Sequence, residues 1–191
     1  LPLYALAAYV LFAWLPERGL YGRRLALLWL PVVALLAGRG LLLARAHYAP
    51  ATPVATPRGV YRDVVPARGQ AIDELLRHLA AAPPRSLVVL PEGLAINYLA
   101  RIPSSIPFHT FTPVEIAGEE EAVVTALSRN PPEAVAIVPR DVREFGYRGF
   151  GVDYGEPITR WLAAHYRLEA SWGEPSWRVS LLRRTEPPPA Q

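Results

Sequence analysis

Two acidic side chains and an arginine follow the ends of two apolar runs that are typical of buried strands. Glu92 comes after residues 86–90, and Arg140 and Asp141 come after residues 134–138. Ligands of open α/β sheets bind at the carboxyl ends of the strands, so these side chains converge on one rim if the strands are neighbours. Two carboxylates beside a guanidinium suit sugar hydroxyls, a divalent cation or a phosphate. In the alternative interpretation these residues bind no ligand. The proline after each run ends the strand, and the acidic side chain caps the following helix.

A second candidate region is the stretch 143–155, which is rich in glycine and aromatic residues. Aromatic faces stack on the C–H surfaces of sugars, and nearby carboxylates accept hydrogen bonds from hydroxyl groups. The candidate ligand contacts in this loop are Glu144, Tyr147, Asp153 and Tyr154. In the alternative reading, the loop folds over the sheet edge, its aromatic side chains cover the core and its glycines adopt positive φ.

The sequence contains no recognisable catalytic or metal-binding pattern. The four histidines are scattered without metal-ligand spacing, and the chain has no cysteine, no phosphate-binding glycine loop and no serine-nucleophile motif. We therefore assign no catalytic residue, no metal ligand and no cofactor from the sequence.

Hydrophobic periodicity predicts alternating strands and helices over residues 60–185. Helices are predicted over residues 70–82, 94–100 and 119–130 and from Pro157, and strands over 60–65, 86–90 and 134–138. Residues 168–172 and 177–182 are predicted to form a closing antiparallel hairpin. The predicted fold is an α/β domain with a mostly parallel sheet, helices on both faces and an antiparallel edge. Residues 48–59 read as a proline-rich stem, and residues 186–191 as a disordered tail.

The amino-terminal region predicts a membrane anchor over residues 1–47, comprising the end of one transmembrane helix and one full span. Residues 25–44 form an apolar run of spanning length, interrupted by Arg39, whereas residues 1–15 are short of that length. A signal peptide is the alternative for residues 1–16, but the basic start and the cleavage site are missing. Arg39 either binds a lipid phosphate or extends to the headgroups.

Charge distribution refines this expectation. Residues 1–50 carry five arginines against Glu17, whereas residues 51–191 carry fifteen arginines against sixteen acids. The basic excess lies beside the apolar segment, which favours a bilayer as partner and disfavours nucleic acid. Three arginines in residues 17–24 predict a cytoplasmic connector, so the α/β domain is expected on the other side of the membrane.

Short motifs in this order resemble the carboxyl-terminal region of bacterial polytopic membrane glycosyltransferases of the dolichyl-phosphate-mannose–protein mannosyltransferase and aminoarabinose-transferase type. The residues that carry the resemblance are Val89-Leu90-Pro91-Glu92-Gly93, Asn97-Tyr98-Leu99, Asn130-Pro131-Pro132, Phe150-Gly151-Val152-Asp153-Tyr154-Gly155, Trp161 and Tyr166.

The resemblance implies the carboxyl-terminal part of an inner-membrane enzyme that transfers a sugar from a polyprenyl-phosphate donor to an acceptor not identified by the sequence. In that family the catalytic acids, often near a divalent cation, belong to an amino-terminal loop with no counterpart here. The extracytoplasmic α/β domain would then cover the active site or bind the acceptor. The alternative hypothesis is a non-catalytic, membrane-tethered module that binds a ligand or a protein through the same rim.

Overall fold

The computed structural model describes residues 23–49, 51–56 and 58–185, together with Tyr9 and Glu17. The chain divides into two compact units, Leu1–Ala49 and Pro50–Gln191. Apart from Tyr9 and Glu17, the predicted first membrane segment and residues 17–22 of the connector lie outside the described residues. So does the predicted disordered tail, residues 186–191.

The described part of the first unit is helix α1, Arg23–Tyr48. The predicted membrane anchor is corrected here: within the described part of the chain, no helix combines the length and the hydropathy that crossing a bilayer requires. Helix α1 is long, but Arg39 and Arg45 interrupt its apolar residues. The prediction of transmembrane helices is therefore wrong for the described part of the chain.

The second unit contains a four-stranded sheet in the order β3-β4-β6-β5. Its strands are β3, Leu87–Leu90; β4, Ala134–Ile137; β5, Tyr166–Trp172; and β6, Val179–Arg184. Strands β3 and β4 are parallel, whereas β6 is antiparallel to both of its neighbours. The prediction of a mostly parallel sheet is therefore wrong. The β5–β6 hairpin does form, but its second strand inserts beside β4 and lies in the sheet interior.

A two-stranded hairpin precedes this sheet and consists of β1, Thr52–Thr56, and β2, Gly59–Asp63. The strands pair antiparallel, with Thr56 opposite Gly59 and Thr52 opposite Asp63. Gly59 has φ +128° in the connection, a conformation that favours glycine. Part of the region predicted as a stem is thus paired with β2, and the hairpin delivers Asp63 to the start of the next helix.

Helices cover both faces of the four-stranded sheet. They are α2, Pro66–Ala81; α3, Leu94–Ala100; α4, Pro113–Ile116; α5, Glu120–Arg129; and α6, Glu156–His165. Leu87 and Val89 of β3 pack in a cluster with residues of α2 and α3. Val88 and Leu90 pack in a second cluster with residues of α5 and α6. The period-2 alternation of side chains along β3 therefore builds both halves of the core, and the α/β class is confirmed.

Candidate functional site

The carboxyl ends of β3 and β4 lie side by side, because the two strands are parallel neighbours with Leu90 opposite Ile137. The chain leaves β3 into Glu92 and leaves β4 into Arg140, and the Arg140 guanidinium donates a hydrogen bond to the Glu92 carboxylate. An antiparallel bridge to Thr110 holds the backbone of Glu92. The structure thus brings together two of the three rim residues that the sequence singled out.

These residues border a cleft of about 400 Å³ at the strand ends. One part of its lining is apolar and comes from helices α2 and α3 and the end of β4, namely Ile72, Leu94, Ala95, Ile96, Leu99 and Val138. The polar lining groups are Glu92, Arg140, Arg68, Tyr61 and Thr110. An apolar wall with a few polar groups is the usual composition of a small-molecule site.

Arg68 brings a second guanidinium to the cleft, and a buried carboxylate holds it in place. Arg68 Nε lies 2.8 Å from Asp63 Oδ2, and Arg68 Nη2 lies 3.0 Å from Asp63 Oδ1. The Tyr61 hydroxyl also donates to Asp63, at 2.9 Å. Burial raises the pKa of Asp63, but hydrogen bonds from Arg68, the Val65 N–H and Tyr61 outweigh it, so the pKa lies below its ordinary value. Asp63 therefore remains ionised at neutral pH.

The remaining rim acids take different partners. Glu144 Oε1 lies 3.6 Å from Arg140 Nη2, so Arg140 lies between two carboxylates. Asp141 instead accepts hydrogen bonds from Arg143, with its Oδ2 2.5 Å from Arg143 Nη2. These hydrogen bonds lower the pKa of Asp141 to about 2. Asp141 borders a separate shallow depression with Arg143 and Glu144, not the cleft.

In the loop over residues 143–155, Asp153 and Tyr154 make contacts within the loop and with the core. Asp153 accepts hydrogen bonds from the backbone N–H groups of Arg148 at 2.8 Å and Gly149 at 3.2 Å. Tyr154 is 4% exposed, and the centroid of its ring lies 5.4 Å from the ring centroid of Tyr147. Neither tyrosine lines the cleft. The loop packs against the core, as in the second of its two readings.

Tyr154 nevertheless has an unusual environment. Its hydroxyl is buried and has no hydrogen-bond partner among the described residues. Burial raises the pKa of Tyr154 to about 12, with Arg140 opposing this effect through its positive charge. Tyr154 is therefore a neutral phenol in the core behind the rim.

Sequence reasoning missed Tyr61 and Arg68, which lie on the consecutive elements β2 and α2, and Thr110, which lies more than forty residues further along the chain. The only sequence signal was indirect: Asp63 lies just before Pro66, a pattern typical of helix starts, but nothing identified Arg68 as its partner. Within the described ranges, no cluster of three or more histidine, cysteine, aspartate or glutamate side chains is arranged to hold a metal ion.

No protein-family model matches this chain, and neither the curated proteins nor the solved structures include a significant match. The resemblance to membrane glycosyltransferases therefore stays a prediction, and any statement of function depends on the geometry of the cleft.

Proposed function

We propose that the cleft at the carboxyl ends of β3 and β4 binds a sugar phosphate. The observation that carries this proposal is the placement of two guanidinium groups, Arg68 and Arg140, and the Glu92 carboxylate around one apolar-walled cleft of about 400 Å³. Arginine pairs with phosphate through two parallel hydrogen bonds, whereas a carboxylate accepts hydrogen bonds from sugar hydroxyls.

The cleft matches the two kinds of surface on such a ligand. The C–H face of a pyranose ring is apolar and suits the wall formed by Ile96, Leu99 and Val138. Phosphate oxygens suit the guanidinium groups, of which Arg68 has 24% and Arg140 has 29% of its side chain exposed. Partial burial strengthens such contacts, since fewer water molecules compete for them.

The Glu92–Arg140 ion pair suggests how ligand binding proceeds. Glu92 and Arg140 neutralise each other across the rim. A phosphate that competes for Arg140 leaves the Glu92 carboxylate ready to accept hydrogen bonds from hydroxyl groups. In a ligand that carries both groups, the phosphate takes the place of Glu92 beside Arg140, and the hydroxyls take the place of Arg140 beside Glu92. Inorganic phosphate supplies a new partner for Arg140 only.

In this proposal the cleft binds the phosphate-linked sugar donor of a sugar-transfer reaction, which is the type of reaction that the family resemblance implies. No catalytic group is assigned to the described residues. The second candidate is a binding module without transfer. It is favoured by the ion pairing of the cleft, because Glu92 is bound to Arg140 and the sequence assigns no catalytic group to the lining.

The proposal is tested by isothermal titration of the full 191-residue chain with mannose 1-phosphate and glucose 1-phosphate. Arg140→Gln is expected to weaken binding at least tenfold, because it removes a charge-assisted contact of roughly 1.5–3 kcal/mol. Glu92→Gln should weaken binding of the sugar phosphate but not of inorganic phosphate. The matched control is Arg77→Gln, which changes an exposed arginine of α2 paired with Asp73. Equal losses in Arg77→Gln and Arg140→Gln would refute the proposal.

Competition separates the two candidate functions. If the site holds the donor of a transfer reaction, a short-chain prenyl-phosphate mannose displaces bound mannose 1-phosphate from the wild-type chain. Binding of mannose 1-phosphate without such displacement supports the binding module instead.

A further inference from the structure

We propose a second ligand site at the opposite end of the sheet, a concavity that binds an oligophosphate anion such as pyrophosphate. It has a volume of about 780 Å³, and its lining includes Arg85, Arg167, Arg183 and Arg184. Arg85 lies just before β3, Arg167 lies at the start of β5, and Arg183 and Arg184 end β6. Glu133, which also lines the concavity, lies just before β4. The site shares no lining residue with the cleft and does not depend on the function proposed above.

Two carboxylates fix part of this arginine cluster. Glu133 accepts a hydrogen bond from the backbone N–H of Arg85 at 2.8 Å and another from Arg183 Nη1 at 3.1 Å. Arg183 also donates two hydrogen bonds to Glu169, at 2.5 and 3.2 Å. Arg183 is therefore held in a defined position with its charge balanced.

The guanidinium groups of Arg167 and Arg184 are available to a ligand. The Arg85 side chain is 97% exposed and lies 3.5 Å from Glu133. The side chains of Arg167 and Arg184 form no ion pair with any residue in the described ranges. Ser86 Oγ accepts a hydrogen bond from the Glu133 N–H, so its own proton can be donated to an anion. Arg167, Arg184 and the Ser86 hydroxyl are thus free to donate to phosphate oxygens, whereas Arg85 forms an exposed ion pair with Glu133.

Strand register gives a second, independent argument. Arg167 of β5 lies directly opposite Arg183 of β6. Like charges in a directly opposed cross-strand pair destabilise a sheet. Glu133 and Glu169 balance Arg183, but Arg167 has no such partner. A bound polyanion would supply the negative charge that Arg167 does not receive from an acidic side chain in the described ranges.

The concavity favours an oligophosphate over a nucleic acid. Its lining has no aromatic side chain on which a base could stack. Residues 51–191 carry fifteen arginines against sixteen acids, so the basic charge is local to this site. Nucleic-acid binding usually requires an extended basic face. A compact anion with several charges fits the local cluster better.

The test is calorimetric titration of the full chain with inorganic pyrophosphate at low ionic strength, with ADP, AMP and single-stranded RNA as comparison ligands. Pyrophosphate is expected to bind, and ADP to bind no more tightly, because the site offers no contact to the base. Arg167→Gln and Arg184→Gln are each expected to weaken pyrophosphate binding at least tenfold. The control is Arg160→Gln, an exposed arginine of α6 outside the concavity.

A stability measurement guards against misfolding as the cause of lost binding. Because Arg167 forms no ion pair in the described ranges, the ligand-free Arg167→Gln variant should melt at the same temperature as the wild type. Pyrophosphate should raise the melting temperature of the wild type and of Arg160→Gln by more than that of Arg167→Gln. The proposal is overturned if the wild type does not bind pyrophosphate or if Arg160→Gln loses as much pyrophosphate affinity as Arg167→Gln. It is also overturned if the wild type binds single-stranded RNA more tightly than pyrophosphate when both are compared at equal phosphate concentration.

The two proposals can fail separately. Arg167→Gln should leave mannose 1-phosphate binding at the cleft intact, and Arg140→Gln should leave pyrophosphate binding intact. Loss of both ligands in either variant would contradict the assignment of two sites.

Discussion

Arg68 and Asp63 form a two-point ion pair in which the carboxylate is fully buried and the guanidinium reaches the cleft. The side chain of Asp63 has no exposed surface, whereas that of Arg68 is 24% exposed. The Val65 N–H donates a further hydrogen bond to Asp63, at 2.8 Å. The same carboxylate therefore joins the end of β2, the start of α2 and one wall of the proposed binding site.

Asp63→Asn is expected to destabilise the chain by about 2 kcal/mol, because it leaves the Arg68 guanidinium without its charge partner. Urea denaturation of the full chain measures this change. Asp73→Asn breaks the exposed pair with Arg77 and should cost less than about 0.5 kcal/mol. Similar losses in the two variants would show that the Asp63 network contributes no more than a surface ion pair.

Glu169 of β5 contacts Arg183 of β6 and His78 of α2, and acid should weaken these contacts. Hydrogen bonds from Arg183 lower the pKa of Glu169 to about 2, against an opposing effect of burial. Because this pKa lies below its unfolded value of about 4.3, the stabilisation is complete above that pH and is lost as pH falls toward 2.

The measurement compares the wild type and Glu169→Gln in urea between pH 7 and pH 3. Glu169→Gln should be less stable than the wild type at pH 7. The difference in free energy of unfolding between the two should shrink as the pH falls below about 4.3. Glu174→Gln, a change in the exposed connection between β5 and β6, should follow the wild type at every pH. A constant difference between Glu169→Gln and the wild type would exclude the titration of Glu169 as its cause.

Gly93 follows Glu92 at the cleft and cannot accept a side chain without movement of β3. A Cβ at this position would lie 2.0 Å from Val89 Cγ1 and 2.5 Å from Val89 Cβ. Gly93→Ala is expected to cost about 1–3 kcal/mol and to weaken sugar-phosphate binding, because the end of β3 must shift. Denaturation and titration of the same preparation measure both effects.

The double variant Val89→Ala, Gly93→Ala tests the steric cause. Val89→Ala removes Cγ1 but keeps Cβ, which lies 2.5 Å from the new Cβ, so it relieves only part of the clash. The two changes should together cost less than the sum of their separate effects. Additive losses would mean that the cost of Gly93→Ala does not come from Val89 Cγ1.

The sequence predicted most helices and strands because each carries a local periodic signal. It did not predict the position of β6, since insertion between β4 and β5 depends on contacts between segments far apart in the chain. The predicted membrane span is not found among the described helices, none of which combines the required length and hydropathy. The local sequence pattern therefore predicted where helices and strands occur. The order of the strands in the sheet depends on tertiary packing.

The same distinction applies to the cleft. Glu92 and Arg140 could be placed together from the rule that ligands bind at strand ends, provided that β3 and β4 are neighbours. Arg68 could not, because its position depends on how the β1–β2 hairpin and α2 pack beside β3. Asp141 was expected at the same rim, but its closer partner is Arg143, only two residues away.

Tyr154 and Tyr166 provide a matched pair for measuring the cost of an unpartnered buried hydroxyl. Both are buried, and burial raises the pKa of each to about 12. The Tyr166 hydroxyl donates to the Pro132 carbonyl at 2.6 Å, whereas that of Tyr154 has no partner among the described residues. Tyr166→Phe should therefore cost about 1 kcal/mol, while Tyr154→Phe should be neutral or stabilising. A loss in Tyr154→Phe as large as that in Tyr166→Phe would show that the Tyr154 hydroxyl does find a partner in solution.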